Sequence, residues 1–329
     1  MAPGAKALTA RSATRRRRGP APLAGVVGPT ATGKTDLSLA LAGALPTEVL
    51  VADSRQVFRG MDIGTGKVGL AERRTVPHHL VDLVEPGEPF TVADWAELAR
   101  ALVPQIAARG RLPLVVGGTG LYVTALVDGF EFASQPWSPE VRERLAHELE
   151  AEGLALLAER LTALDPASAA RTDLRNPRRV LRALERAELI GTAAAETVGS
   201  KPYPGPIGLI GLTRPLSVLD RRVGERAEAM FRDGILDETR DLLERNLDPD
   251  TPALTGHGYA EAARHVAGEW SLDEAIAGTA RRVRRYVRRQ LSWFRRDRRI
   301  VWLDASDRPA DDPPLVRQGS DLLRHLTLG

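Results

Sequence analysis

At 329 residues, with 43% hydrophobic and 27% charged side chains, the chain has the composition of an ordinary globular protein with one large core or two unequal domains. It contains no cysteine, which excludes disulfides, zinc–thiolate sites and thiol nucleophiles together and suits a reducing cytoplasm; no apolar run reaches the roughly 18–20 residues of a membrane-spanning helix. The net charge is only +3, yet ten arginines fall between Arg281 and Arg299, a cluster that reads as a face for a polyanion.

In chain order, residues 1–20 (MAPGAKALTARSATRRRRGP) are basic, free of acid and without an apolar segment. They read as a disordered extension rather than a secretory signal, with a transit peptide as the alternative. Leu23 to Val27 is a short apolar run before a Gly-rich turn, the pattern of a buried parallel strand. Helical periodicity follows over residues 34–45. Further strands are expected at Glu48–Ala52, His79–Val84 and Leu112–Val116, with helices over Val92–Arg109 and Leu121–Leu126.

Near Phe130 the rhythm changes, and from Ser138 to about Ala195 the pattern is helical, rich in Ala, Leu, Glu and Arg. A strand returns at Ile207–Leu212. Helices are then expected over Leu216–Asn246, Tyr259–Ala267 and Leu272–Arg298, with a last strand at Ile300–Leu303. Strands alternating with helices predict an α/β fold, a doubly wound parallel sheet. The expected division is a core over 21–129, a helical insertion domain over 130–200, core completion with basic helices over 201–310, and a tail over 311–329.

The residues Gly28-Pro29-Thr30-Ala31-Thr32-Gly33-Lys34-Thr35 fit the G-x-x-x-x-G-K-[ST] pattern of a P-loop, placed between a strand and a helix as that loop requires. The glycines let successive backbone N–H groups converge on phosphate oxygens, and the helix N-terminus adds partial positive charge. Lys34 contributes a full charge, and the Thr35 hydroxyl is placed to bind Mg²⁺. Beyond the second strand comes Asp53-Ser54-Arg55-Gln56, at the carboxyl edge of the sheet and facing the same crevice. Position alone leaves Asp53 as a magnesium ligand, a general base, or the cap of a following helix.

Asp53 to Val57, Asp62-Ile63-Gly64-Thr65, Val76-Pro77-His78-His79-Leu80 and Val116-Gly117-Gly118-Thr119-Gly120-Leu121-Tyr122 follow the P-loop in order. Asn176 to Glu185, Gly258-Tyr259 and Arg288-Arg289-Gln290-Leu291-Ser292-Trp293-Phe294 continue the series. Over roughly residues 21–305 the chain resembles the tRNA dimethylallyltransferase family. The resemblance implies transfer of a dimethylallyl group to the N6 amine of the adenosine immediately 3′ of the anticodon, with the P-loop holding the diphosphate of dimethylallyl diphosphate. It implies that Asp53 is the base on that amine, that Ser54, Arg55 and Gln56 hold the flipped adenine, and that Thr119 sits beside the reacting centre. It also implies that Arg222 and Arg226 approach the diphosphate, and that tRNA meets Arg178, Arg179, Val180, Leu181 and Arg182 together with Thr255 to Ala260, Gly258 and Tyr259 among them. The expected cofactor is Mg²⁺, and the expected enzyme is a cytoplasmic monomer without membrane contact.

Ala260 stands where that family has lysine, and Val283 and Val287 where it has threonine and alanine, which puts individual tRNA contacts in question. His78 and His79 lack metal-ligand partners at useful spacing and read as packing or hydrogen-bonding residues. Trp293 and Phe294 read as core, with stacking on bases as the alternative. Two rival readings are a prenyltransferase of free adenine nucleotides and a P-loop kinase or RNA-binding NTPase.

Overall fold

A computed structural model of the chain describes residues 19–129, 138–191, 200–245, 247, 251 and 253–328. The basic extension expected over 1–20 therefore lies almost wholly outside the described residues. Six strands form one parallel sheet: β1 (Leu23–Val27), β2 (Thr47–Ala52), β3 (His78–His79), β4 (Leu112–Gly117), β5 (Ile207–Thr213) and β6 (Ile300–Asp304). Their order is β3-β2-β4-β1-β5-β6. The connection from β1 runs towards β2 and that from β4 runs the other way to β5, so the topological switch lies between β1 and β4. Register aligns Val27 with Gly117 and Gly117 with Ala52, so the residues that follow all three strands leave the sheet at one level.

The chain opens with α1 (Lys34–Ala44), α2 (Leu70–Thr75), α3 (Val92–Ala108) and α4 (Gly120–Asp128). A capping box of Thr91 and Asp94 starts α3. Trp95 on α3 donates its indole N–H to the Val51 carbonyl at 2.9 Å and stacks on Tyr122 of α4, which fixes both helices to the sheet.

Helices α5 (Pro139–Glu152), α6 (Leu154–Leu164), α7 (Pro166–Arg171) and α8 (Pro177–Ile190) then close around Leu145, Leu157, Leu161, Val180 and Leu184, a core separate from those on the sheet. The chain leaves for these helices and returns at one point: Lys201 N–H donates to Gly129 O and Tyr203 N–H to Val127 O, both at 2.9 Å. Gly129 has φ 68°, and any Cβ there would strike the Lys201 carbonyl, so a side chain at this crossing is excluded.

Beyond β5 lie α9 (Leu216–Arg232), α10 (Ile235–Leu243), α11 (Tyr259–Val266), α12 (Leu272–Phe294) and α13 (Pro313–Leu328). One face of the sheet is covered by α1 and α13 around Leu37, Leu41, Leu315 and Leu323. The other carries α3 and α4, with α11 and α12 reaching the same core through Tyr259, Ala275 and Phe294. A third apolar seam joins α9 to α12 through Leu219, Val223, Val283 and Val287.

Four expectations need correction. The strand expected over His79–Val84 ends at His79, because Leu80 and Asp82 take positive φ (67° and 52°) and turn the chain out of the sheet. The single helix expected from Leu216 breaks at Gly234, φ 108°, into α9 and α10. The basic helix stops at Phe294, short of Arg298. Residues 311–329 are not a loose tail over the described part, since α13 inserts Leu315 and Leu323 into the core.

Candidate functional site

The P-loop wraps the carboxyl end of β1. Gly28 (φ 135°) and Gly33 (φ 93°) take conformations that side chains resist. At Gly28 a Cβ would lie 2.5 Å from the Leu212 carbonyl of the neighbouring strand. The loop lines a cavity of about 630 Å³ with Lys34, Thr35, Asp36, Asp53, Arg222 and Arg226. Lys34 donates to the Pro29 carbonyl at 2.7 Å; its burial pulls the ammonium down to about 8, Asp53 opposing that shift and Arg226 adding to it. Arg222 and Arg226, one turn apart on α9, donate to the carbonyls of Ala31 (2.8 Å) and Thr65 (3.2 Å). The structure thus brings to the loop two arginines that sequence spacing left open to a merely solvated role.

Asp53 leaves β2 and accepts from Arg55 N–H at 2.9 Å. Turns follow rather than a helix, which removes the helix-cap reading. Across the crevice Thr119 leaves β4, and its hydroxyl accepts from Ser54 N–H at 3.0 Å, so the two loops are joined directly. Gln56 lines the first cavity, where its amide nitrogen reaches the Thr65 carbonyl at 3.4 Å.

A second cavity, of about 340 Å³, opens on the other side of Asp53. Ser54, Arg55, Arg282, Tyr286 and Arg289 line it together with His257. Burial and the charge of Asp53 push the Tyr286 phenol up to about 12. Burial, with Arg282, Arg55 and Arg289, brings His257 down to about 4, so that imidazole is neutral at pH 7. Arg289 lies over the Tyr286 ring, 5.6 Å from its centroid.

Other expected contacts divide. Arg178 and Arg179 are exposed on the first turn of α8, and the charge of Arg178 is felt at Arg55. Arg182 pairs with Glu185 at 2.6 Å. Val180 is fully buried in the insertion core and Leu181 packs against the same core, so the Val180 side chain offers nothing to RNA. Gly258 and Tyr259 are buried as well. The Tyr259 hydroxyl donates to Glu238, which also accepts from the N–H groups of Asp62, Ile63 and Gly64, so Tyr259 braces that loop from inside. Val283 and Val287 belong to the seam between α9 and α12, so their departures from the family pattern alter packing. His78 and His79 bond the Val76 carbonyl and Glu48, and Phe294 is core; Trp293 stays 40% exposed, packed on Gly120.

Two buried residues were given no role by the sequence reading. Arg214 holds the P-loop from behind: its Nε donates to Thr32 O at 2.8 Å, and its Nη1 to the Ser306 and Arg308 carbonyls. Gln290 joins the P-loop to the loop after β4. Its signal was available, since 283, 287 and 290 follow the i, i+4, i+7 spacing of one helical face.

Fold and cavities together define a P-loop α/β protein in which the cavity lined by that loop shares residues with an arginine-lined second one. The family model described as IPP transferase matches residues 56–297, and the chain belongs to that family. The tRNA dimethylallyltransferase of Roseiflexus castenholzii is 44% identical over 303 residues, covering 92% of this chain and 97% of that one. That of Salinispora tropica is 47% identical over 285 residues, covering 86% and 88%. The crystal structure of the tRNA isopentenylpyrophosphate transferase from Bacillus halodurans is 38% identical, covers 92% of this chain and 97% of its own, and superposes with a TM-score of 0.69.

Proposed function

We propose that the enzyme transfers the dimethylallyl group of dimethylallyl diphosphate to the N6 amine of the adenosine immediately 3′ of the anticodon in tRNA, releasing diphosphate. The observation that carries this reading is the meeting of two cavities at Asp53, one built for phosphate and one lined by arginine and tyrosine. Membership of the family and the names of its relatives support it over a nucleotide kinase and over transfer to a free nucleotide.

The bond between the allylic carbon and the diphosphate oxygen breaks with its electron pair on oxygen. Lys34, Arg222, Arg226 and the loop N–H groups neutralise that developing charge. The adenine amine forms the new C–N bond and gives up a proton, for which Asp53 is the acceptor in the shared wall. A stacked adenine cannot reach this wall and must be swung into the second cavity, against Tyr286 and the arginines. The Thr119 hydroxyl bonds Ser54 N–H and Tyr286, so it would act on the reacting groups through the residues beside Asp53.

Among the described residues no cluster of three His, Asp or Glu side chains could hold a metal by itself. The Thr35 hydroxyl, which lines the first cavity, would offer a protein oxygen to Mg²⁺, an ion that keeps several waters and binds chiefly to substrate phosphates. The ion would add charge neutralisation to the leaving diphosphate. The exposed arginines of α8 and α12 supply the tRNA surface. The reading takes the enzyme to act as a monomer in the cytoplasm, where a tRNA acceptor would be met. No described helix is long and apolar enough to cross a membrane.

The test is incubation with labelled dimethylallyl diphosphate, offering undermodified tRNA and AMP together. Label is expected in tRNA; label in AMP alone would overturn the proposal.

A further inference from the structure

Gln290 sits on α12, the helix that carries the arginine cluster, but its side chain is only 6% exposed. Its carbonyl oxygen accepts from the Thr30 N–H of the P-loop at 2.9 Å, and its amide nitrogen donates to the Gly118 carbonyl at 2.8 Å. One planar amide therefore spans the gap between the loop after β1 and the loop after β4. A side-chain amide satisfies both ends at once, its oxygen accepting and its nitrogen donating, which an ionised carboxylate cannot do.

The surrounding sequence is shaped to admit it. A Cβ on Gly118 would lie 2.3 Å from the Gln290 amide nitrogen, and a Cβ on Gly120 would lie 2.2 Å from the Trp293 ring, one helical turn further on. Two glycines of the Gly117-Gly118-Thr119-Gly120 segment thus make room for α12. The Thr30 N–H, which the loop pattern offers to phosphate, is engaged by Gln290. Gly118 immediately precedes Thr119, whose hydroxyl in turn holds Ser54 beside Asp53.

We propose that Gln290 is a positioning residue that sets the spacing between the diphosphate-holding loop and the loop carrying Thr119, and so between donor and acceptor. The proposal rests on the prenyl-transfer reading above. A misplacement of about 1 Å between reacting groups can lower a rate roughly 10²-fold, so small shifts of either loop matter.

The experiment compares wild type, Gln290→Met and Gln290→Glu. In Gln290→Met both bonds are lost. Turnover at saturating donor and tRNA is expected to fall at least roughly tenfold, while the KM for tRNA stays within about threefold because the arginines are untouched. Affinity for inorganic pyrophosphate should also fall, a readout independent of the acceptor. Gln290→Glu keeps the bond from Thr30, but its carboxylate cannot donate to Gly118. Burial favours the protonated acid, which can donate. The ratio of variant to wild-type turnover should therefore rise as pH is lowered from 8 to 6. Lys34, Asp53, Arg226 and Arg289 line the same cavity and are unchanged in the variant, so wild type measured at each pH is the reference for them. Wild-type turnover and pyrophosphate affinity in Gln290→Met, or a flat ratio in Gln290→Glu, would overturn the proposal. A wild type that leaves tRNA unlabelled would defeat the functional reading, and pyrophosphate affinity would still decide the role of Gln290.

Discussion

The two cavities share Thr30, Lys34, Asp53, Thr65, Gly118 and Arg226, yet they are built by different means. The side proposed to hold diphosphate is made of backbone and half-buried cations, each side chain held by a neighbouring carbonyl: Lys34 on Pro29, Arg222 on Ala31, Arg226 on Thr65. The side proposed for the acceptor is made of longer reaches, with Arg282 and Arg289 on α12, Arg55 on a turn, and Tyr286 and His257 in edge-to-face contact at 4.8 Å. A site of the first kind is organised before substrate arrives and acts on the rate. One of the second kind spreads its work over several charges exposed to salt. Single substitutions should therefore be severe on the diphosphate side and at the shared wall, and graded on the acceptor side.

The sharpest break comes at the shared wall. Asp53→Asn keeps the size of the side chain and the acceptor that meets Arg55 N–H, but cannot take a full proton. Single-turnover transfer should fall by roughly 10²–10⁴ with donor and tRNA affinities little changed. Weak donor binding rescued by high Mg²⁺ would instead make Asp53 a metal ligand. Next in size is Lys34→Ala, expected to slow transfer roughly 10²–10³-fold while tRNA binding survives. Near-normal turnover there would dissolve the distinction between the two cavities. Lys34 also has a pH signature. Burial holds its pKa near 8, and only the ammonium attracts the diphosphate, so pyrophosphate affinity of the free enzyme should fall as pH rises through about 8. Calorimetric titration from pH 7 to 9, with Lys34→Ala as the flat control, checks this.

The first half of this site is legible in the sequence because its determinants are local. Gly28 to Thr35 is one loop between one strand and one helix, and Asp53 and Thr119 follow strands whose apolar runs are plain. The pattern cannot report contacts closed by distant chain. Thr30 and Gln290 are 260 positions apart, and Thr32 and Arg214 are 182 apart. Residues inside quoted motifs were assigned to RNA because motifs do not record burial. Val180 follows three exposed residues, and both it and Tyr259 prove to be buried. The strand expected from His79 failed for another reason: its apolar, β-branched composition is genuine, but Leu80 and Asp82 leave the extended region and turn it away from β2.

The smallest expected effect is on α12, where the arginines have different structural duties. Arg282 donates to the Thr255 carbonyl at 2.8 Å and pairs with Glu261, and Arg284 donates to the Asp220 carbonyl. Those two hold the helix in place. Arg281 and Arg285 are exposed, one turn apart, on the face away from the Val283 and Val287 seam. If that face meets tRNA phosphates, Arg281→Gln with Arg285→Gln should flatten the slope of log affinity against log salt by about 1 per residue. Affinity at physiological salt should weaken roughly tenfold, and turnover at saturating tRNA should not change, because neither residue lines either cavity. Arg284→Gln is the contrasting variant, expected to lose about 1 kcal/mol of stability with its hydrogen bond to Asp220 and to leave the salt slope largely intact. A slope unmoved by the exposed pair would remove α12 from the RNA surface and leave α8 to carry it.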